Sequence, residues 1–345
     1  MPAKRHHYVP RFHLANFATV DSQRHIYQYF KDGRSPVRAS VKDVGCEKGF
    51  YSLPKPDDEK ILDHEIIEKP LAVFDKWGSK AINHLLSKRH LGNEGLEVFC
   101  QYVATLVVRT PACYSRAEQM LIPDGQEIFE RIVKYNAEFR TNLEAEFVGK
   151  GEMTQNEFKS FLDSVANGRA SITPTRFAIL QCCLTQIEEI ANTIRNMNWF
   201  YLIPKEQTDE FIILDQPAFY CDPVHNRNSG VGLATSTVEL IIPLSKKMCA
   251  IGFRADAAKE AFHEIPSELV NEINRRSMIS AENFVFASKL DSEMKTDVEK
   301  FKNSSMKTVV DRVRDSPNSG NLMHVARNVF PITGFRPVVL ASDQN

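Results

Sequence analysis

The chain has 345 residues, of which 43% are hydrophobic and 25% charged, a composition typical of a globular protein with a substantial core. Its formal net charge of −1 argues against a basic protein that binds nucleic acid over its whole surface, although residues 1–40 carry seven Lys or Arg against two Asp. The seven cysteines form no CxxC pair and no apolar run is long enough to cross a bilayer, so we expect reduced thiols and a cytoplasmic protein without a membrane partner.

Residues 1–60 are predicted to form a basic N-terminal segment followed by a hairpin. His25–Phe30 has the composition of a strand, and the Asp32-Gly33 pair that follows suits a hairpin turn. Residues 41–53 are predicted to be extended as well.

Residues 61–198 are predicted to be helical because their apolar residues recur three or four apart. Pro70 is expected to break or kink the first helix and Pro111 to bend the second. Thr154 and Glu157 form a capping box at the start of another helix. The predicted helices cover residues 61–87, 94–120, 124–148, 154–166 and 174–197.

Residues 199–290 are predicted to form an antiparallel sheet and a closing helix over 266–288. The predicted strands cover residues 199–203, 211–214, 238–243 and 248–253. The fold class is therefore α+β, with a central helical bundle packed against a small, mostly antiparallel sheet. We expect one catalytic domain over 1–290 and a C-terminal extension over 291–345.

The N-terminal run Lys4-Arg5-His6-His7-Tyr8-Val9-Pro10-Arg11 is dense in histidine and arginine. Apolar residues between these side chains, such as Val9 and Leu14, can anchor the segment to a core. Adjacent side chains of an extended segment point to opposite faces, so one imidazole can enter a pocket while the other supports it. The alternative is a solvated basic tail.

Arg109 and Asp215 are the other two candidate site residues. Arg109 lies just before Thr110-Pro111 on an otherwise apolar helix, where it can hold a phosphate or form an ion pair with a buried acid. Asp215 ends the apolar run 211–214, where burial would raise its pKa and make it a better base. The alternative for Asp215 is a role in the turn before Pro217.

The run His6-His7-Tyr8-Val9-Pro10 resembles the N-terminal signature of a large bacterial family of unknown function whose members open with HHYVP and a following F-x-L-x-x-F. Members also carry a Gln before Arg-Thr-Pro on a central helix, matched by Gln101 and Arg109, and Thr-Ser-Asp-x-Pro at a strand end. Asp215 and its proline match that last motif, whereas Ile213-Leu214 replaces the two hydroxyl residues. The resemblance covers residues 1–290.

Members of this family recur in bacterial defence neighbourhoods, and some relatives resemble DNA glycosylases that act on modified bases of phage genomes. The resemblance therefore implies an enzyme of antiviral defence. A metal-dependent nuclease needs several acidic or histidine ligands, whereas one carboxylate suffices to hydrolyse an N-glycosidic bond. We expect a metal-independent DNA glycosylase that excises modified bases from double-stranded phage DNA without a cofactor.

Asp215, His6 and His7 are the predicted catalytic residues of this glycosylase. The residues predicted to bind substrate or DNA are Lys4, Arg5, Tyr8, Arg11, Gln101, Arg109 and Gln216. An extruded base also needs apolar walls, for which the candidates are Tyr8, Trp199, Phe200 and Tyr220. The alternatives are a metal-dependent nuclease with His6, His7 and Asp215 as ligands, and a non-enzymatic sensor of a nucleotide or nucleic acid.

Overall fold

The computed structural model describes residues 4–19, 24–55, 58–170, 173–224, 232–254, 260–304, 308–314 and 322–328. The strands are β1 (Arg5–His7), β2 (His25–Phe30), β3 (Val37–Ser40), β4 (Cys46–Lys48), β5 (Leu53–Lys55), β6 (Asp58–Asp63), β7 (Asn198–Pro204), β8 (Ile213–Leu214), β9 (Phe219–Cys221), β10 (Glu239–Ser245), β11 (Met248–Phe253), β12 (Glu260–Ile265), β13 (Phe284–Ala287), β14 (Thr308–Arg314) and β15 (Leu322–Asn328). The helices are α1 (Arg11–Ala15), α2 (Glu68–Leu86), α3 (Gly92–Val108), α4 (Pro111–Tyr135), α5 (Ala137–Phe147), α6 (Gln155–Ala166), α7 (Arg176–Leu184), α8 (Ile187–Arg195), α9 (Ser267–Ser280) and α10 (Ser292–Lys300).

A five-stranded sheet in the order β12-β7-β11-β10-β9 lies at the centre of the fold. Its neighbouring strands are antiparallel except for β12, which runs parallel to β7. Successive side chains of a strand point to opposite faces, so Trp199 and Tyr201 pack in one apolar core while Phe200 and Leu202 pack in another. The sheet therefore separates two cores.

The first core lies between this sheet and a four-stranded antiparallel sheet in the order β3-β2-β13-β8. Ile26 of β2 and Val285 of β13 share it with Ile241 of β10 and Val270 of α9. Val298 of α10 is also part of this core, so the start of the predicted C-terminal extension packs directly on residues of the predicted catalytic domain.

The second core lies between the five-stranded sheet and helices α2, α3 and α8. The ring of Phe99 on α3 meets Trp199 edge-on, with 5.1 Å between ring centroids. Gly78 of α2 lies so close to Tyr102 that a Cβ atom there would be 2.2 Å from the Tyr102 ring. Only glycine therefore allows α2 and α3 to approach each other at this point.

Residues 5–9 of the N-terminal segment are fixed in place by backbone hydrogen bonds. β1 pairs with β4, and the N–H groups of Tyr8 and Val9 donate to the carbonyl of Gly45. Gly45 has φ +61 and its missing Cβ would lie 3.0 Å from the Val9 side chain, so glycine is required there. The alternative of a solvated basic tail is therefore wrong for the described residues.

Two prolines begin helices instead of bending them. Pro70 lies in the first turn of α2, and residues 61–63, predicted as helix, are the end of β6. α3 ends at Val108, and α4 begins at Pro111 with the Thr110 side chain as its N-terminal cap. Since proline lacks an N–H, it suits the first turn of a helix, where that group has no partner within the helix. The predicted single helix over 94–120 is therefore two helices.

The predicted closing helix over 266–288 is also wrong in its second half, because α9 ends at Ser280 and residues 284–287 form β13. β8 pairs with β13 and so belongs to the four-stranded sheet. The predicted strand over 25–30 and the capping box of Thr154 and Glu157 are confirmed. Helices packed against mostly antiparallel sheets confirm the α+β class. Within the described ranges, no helix is both long and apolar enough to cross a bilayer.

Candidate functional site

His6 and His7 point to opposite sides of β1, as predicted. The side chain of His6 is fully buried, and its ring stacks against that of Tyr51 with 5.5 Å between centroids. The Tyr51 N–H donates to His6 Nδ1 over 2.8 Å, and His6 Nε2 lies 2.9 Å from the carbonyl oxygen of His64. Since Nδ1 accepts a hydrogen bond and so carries no proton, Nε2 carries the ring proton and donates it to the carbonyl of His64, and burial lowers the pKa of His6. His6 therefore holds the segment in place, with both ring nitrogens engaged.

His7 lies on the other side of β1 and has an unused ring nitrogen. Its Nε2 atom is buried and makes no hydrogen bond within the described structure. Burial lowers the pKa of His7 to about 4, with a further contribution from the positive charge of Arg11. A backbone hydrogen bond to Lys42 acts in the opposite direction. His7 is thus neutral at pH 7.

Arg109 connects β1 with α2 at the end of α3. Its guanidinium donates to Asp75 over 2.5 Å and 3.5 Å and to the carbonyl of His7 over 2.9 Å. Burial alone would lower the pKa of Arg109, but the carboxylate of Asp75 raises it overall. The carbonyl of Arg109 accepts a hydrogen bond of 2.6 Å from the Tyr51 hydroxyl. Of the two predicted alternatives, the structure contains the ion pair with an acid.

Asp215 is buried, and its carboxylate is surrounded by backbone N–H groups. Its carboxylate accepts hydrogen bonds from the N–H groups of Glu282, Asn283 and Phe284 over 2.8, 2.6 and 3.0 Å. Burial raises the pKa of Asp215 to about 6, and these three N–H groups partly oppose the rise. The carboxylate fixes the turn between α9 and β13, whereas the alternative had predicted a role in the turn before Pro217. Its catalytic role stays a prediction.

A basic cleft lies beside His7. It has a volume of about 620 Å³, and three of its lining side chains are the exposed cations Arg11, Arg24 and Lys42. The other lining residues are Phe12, Ala15, Ser40 and Val41. No acidic side chain is among these described lining residues. The described residues therefore give the cleft a concave surface of positive charge.

Lys4 and Arg5 do not add to this charge. Lys4 forms ion pairs with Glu65 and Glu68, and Arg5 forms one with Asp43. Partly exposed pairs of this kind are weak, but they neutralise the two cations that lie closest to the histidines in sequence. Arg11 is thus the basic residue of the predicted N-terminal cluster that faces open space at the cleft.

The remaining predicted residues are spread over the fold. Tyr8 is buried with its ring edge-on to that of Phe50, and Gln216 is buried in the turn after β8. Trp199 and Phe200 are core residues and cannot serve as walls of an open site. Gln101 lines a separate groove between helices.

Sequence reasoning missed the partners of the site, Asp75 on α2, Tyr51 and Lys42. Asp75 carried no local signal, because it meets Arg109 only where α2 packs beside the end of α3. Tyr51 and Lys42 lie in short turns whose position depends on β1, so no local pattern marks them.

No group of three or more His, Cys, Asp or Glu side chains that could hold a metal ion occurs among the described residues. A family model described as a protein of unknown function (DUF4238) matches residues 5–291. No curated protein and no solved structure shows significant similarity to the chain.

Proposed function

We propose that this chain, which belongs to the DUF4238 family of proteins of unknown function, binds DNA and excises a base from it. The basic cleft is the observation that carries the proposal. Arg11, Arg24 and Lys42 line it with no acid among the described lining residues, and its volume of about 620 Å³ falls in the range of ligand-binding sites. In protein–DNA complexes, Arg and Lys side chains bind mainly the phosphate groups of the DNA backbone.

The near-neutral net charge of the protein does not oppose this proposal. Screening limits the attraction between exposed charges to about 10 Å at moderate salt, so the local charge of the cleft decides whether a phosphate binds. The acids that neutralise Lys4 and Arg5 are not lining residues of the cleft. Binding is therefore expected to be strongest at low salt.

Base excision suits the chemistry of His7, which binds the backbone of Lys42 and feels the charge of Arg11, two lining residues of the cleft. In the reaction, the oxygen of a water molecule bonds to C1′, the bond from C1′ to the base breaks, and the base takes up a proton. A neutral imidazole can accept a hydrogen bond from that water, and burial keeps His7 neutral at pH 7. His7 Nε2 is buried and has no protein partner among the described residues, so it can take this role once a water molecule reaches it.

The two alternatives receive different support. The nuclease needs His6, His7 and Asp215 on one metal ion, but both nitrogens of His6 bind backbone groups and Asp215 binds the backbone of 282–284. A sensor that binds DNA or a nucleotide without cleaving it uses the same basic cleft. The sensor is therefore the second candidate function.

The test is incubation of the protein with phage DNA that carries modified bases and with unmodified DNA, each with and without EDTA, followed by alkali. Alkali-labile sites that persist with EDTA are expected. Direct strand breaks that disappear with EDTA would indicate the nuclease, and intact DNA in every lane together with binding would indicate the sensor.

Variants connect this assay with the cleft. Arg11→Ala and Lys42→Ala are expected to weaken DNA binding, whereas Lys159→Ala removes an exposed cation on α6, outside the cleft, and serves as the matched control. Equal DNA affinity of the wild type and the double variant Arg11→Ala/Lys42→Ala would refute the proposed binding surface.

A further inference from the structure

A second concave surface, the helical groove, is lined by residues of α2, α3, α8 and the end of α7. It has a volume of about 490 Å³ and is separate from the basic cleft in all of its lining residues. Six of its lining residues carry the argument, Phe74, Glu97, Gln101, Glu188, Asn192 and Arg195. Its size falls in the range of small-molecule sites.

Phe74 gives the groove an aromatic wall. The ring is half-buried, meets Trp77 edge-on at 5.5 Å between centroids, and lines the groove. Ile187 and Ala191 of α8 add apolar surface to the lining. A flat ring can therefore stack on Phe74 and remain in contact with apolar side chains.

The polar lining of the groove contains two carboxamides without a hydrogen-bond partner among the described residues, and more acidic than basic side chains. The carboxamides of Gln101 and Asn192 make no hydrogen bond within the described structure. Glu97 forms an ion pair with Arg195 over 3.3 Å, whereas Glu188 has no ion-pair partner among the described residues. The groove therefore offers hydrogen-bond acceptors and carries one more acidic than basic side chain among its described lining residues.

We infer that the helical groove binds a nucleobase that carries an exocyclic amine. An amine donates to a carboxylate or to an amide oxygen, an amide also pairs with a ring nitrogen, and the flat base stacks on Phe74. Thymine lacks an exocyclic amine, so it cannot donate that hydrogen bond to the carboxylate of Glu188 or the amide oxygen of Gln101.

This inference deepens the proposed function and rests on it for the link to DNA. The groove and the basic cleft are joined by a chain of contacts, because Phe74 precedes Asp75, Asp75 binds Arg109, and Arg109 binds the carbonyl of His7 beside the cleft. A base bound in the groove would thus be held by the same framework that positions His7.

The experiment measures binding of free nucleosides, which contain no phosphate and so do not report on the basic cleft. Calorimetry or ligand-observed NMR is used with 2′-deoxycytidine, 2′-deoxyadenosine and thymidine. We expect the first two to bind about tenfold more tightly than thymidine, on the order expected for one unmatched polar group in a binding site. Glu188→Gln is expected to reduce this preference to about threefold or less because it removes the charged acceptor.

Phe74→Leu keeps the apolar wall but removes the aromatic face, and it is expected to weaken binding of 2′-deoxycytidine by about five- to a hundredfold. Tyr135→Leu is the matched control, since Tyr135 is an exposed aromatic residue outside the groove. Gln101→Leu is a second test that does not depend on the stability of the Phe74 variant, and it is expected to weaken binding of the amine-bearing nucleosides.

Absence of nucleoside binding, or unchanged binding by both Phe74→Leu and Gln101→Leu, would overturn the inference. Salt-dependent DNA binding that Lys42→Ala weakens would then still support the proposed function. Conversely, nucleoside binding in the groove without any DNA binding at the cleft would refute the proposed function alone. The two failures are therefore distinguishable.

Discussion

The titration of Asp215 gives a prediction whose size follows from its surroundings. Burial raises the pKa of this carboxyl from 3.8 to about 6 in the folded protein. One pKa unit corresponds to about 1.4 kcal/mol, so ionising Asp215 removes roughly 3 kcal/mol of folding free energy. Because the folded state holds the proton more tightly, this contribution is complete below about pH 4 and is lost as the pH rises through about 6.

The variant Asp215→Asn removes this pH dependence. Its amide has one acceptor oxygen and an NH₂ group, so at least one of the three backbone N–H groups of 282–284 faces another donor. An unsatisfied buried donor costs about 1–3 kcal/mol at any pH. The variant is therefore expected to be less stable than the wild type at pH 4. Between pH 4 and pH 7 the wild type loses roughly 3 kcal/mol of folding free energy through Asp215, and the variant does not lose this amount.

Urea unfolding of both proteins at pH 4, 5, 6 and 7 measures this change. Parallel stability curves would refute the reasoning, since they would mean that the carboxyl titrates alike in the folded and unfolded chain. The same variant tests the predicted catalytic role, because loss of base excision with unchanged DNA binding is expected if Asp215 is the base. Full activity would remove Asp215 from the reaction.

Three further changes test other parts of the structure. Arg109→Met leaves Asp75 without its buried partner and is expected to lower the free energy of unfolding by about 3–5 kcal/mol in urea, whereas a loss below about 1 kcal/mol would mean that the ion pair is dispensable. Gly78→Ala places a methyl group 2.2 Å from the Tyr102 ring and is expected to destabilise the protein by about 2 kcal/mol or more in thermal unfolding, so an unchanged melting temperature would contradict this packing. Lys42→Ala is expected to reduce the slope of log affinity against log salt for DNA by about one, and an unchanged slope would show that Lys42 does not contact phosphate.

Much of the fold could be predicted because its signals are local. The strand over 25–30 and the capping box of Thr154 and Glu157 follow from residues within a few positions of each other. The end of α9 could not be predicted, because the acceptor for the N–H groups that follow it is Asp215, more than sixty residues earlier. The pairing of β8 with β13 could not be predicted for the same reason, because the two strands are about as far apart in sequence.

The candidate site could be predicted only in part for the same reason. The alternation of His6 and His7 follows from the geometry of one strand and is confirmed. The buried setting of Arg109 predicts an anionic partner, but Asp75 becomes that partner only when α2 packs beside α3. The joint site of the histidines, Arg109 and Asp215 stays a prediction: the Asp215 carboxylate binds the backbone of 282–284, and its charge also acts on Tyr8, the neighbour of His7.

The burial of the segment after β1 has a consequence for synthesis of the protein. His13 binds the carbonyl of Pro243, and Asn16 binds that of Leu244, so these residues find partners that are synthesised some 230 positions later. Contacts of such long sequence separation close slowly. While the ribosome is still adding the central helices, this histidine-rich stretch has no place to dock, and it must stay available until the strand that receives it emerges.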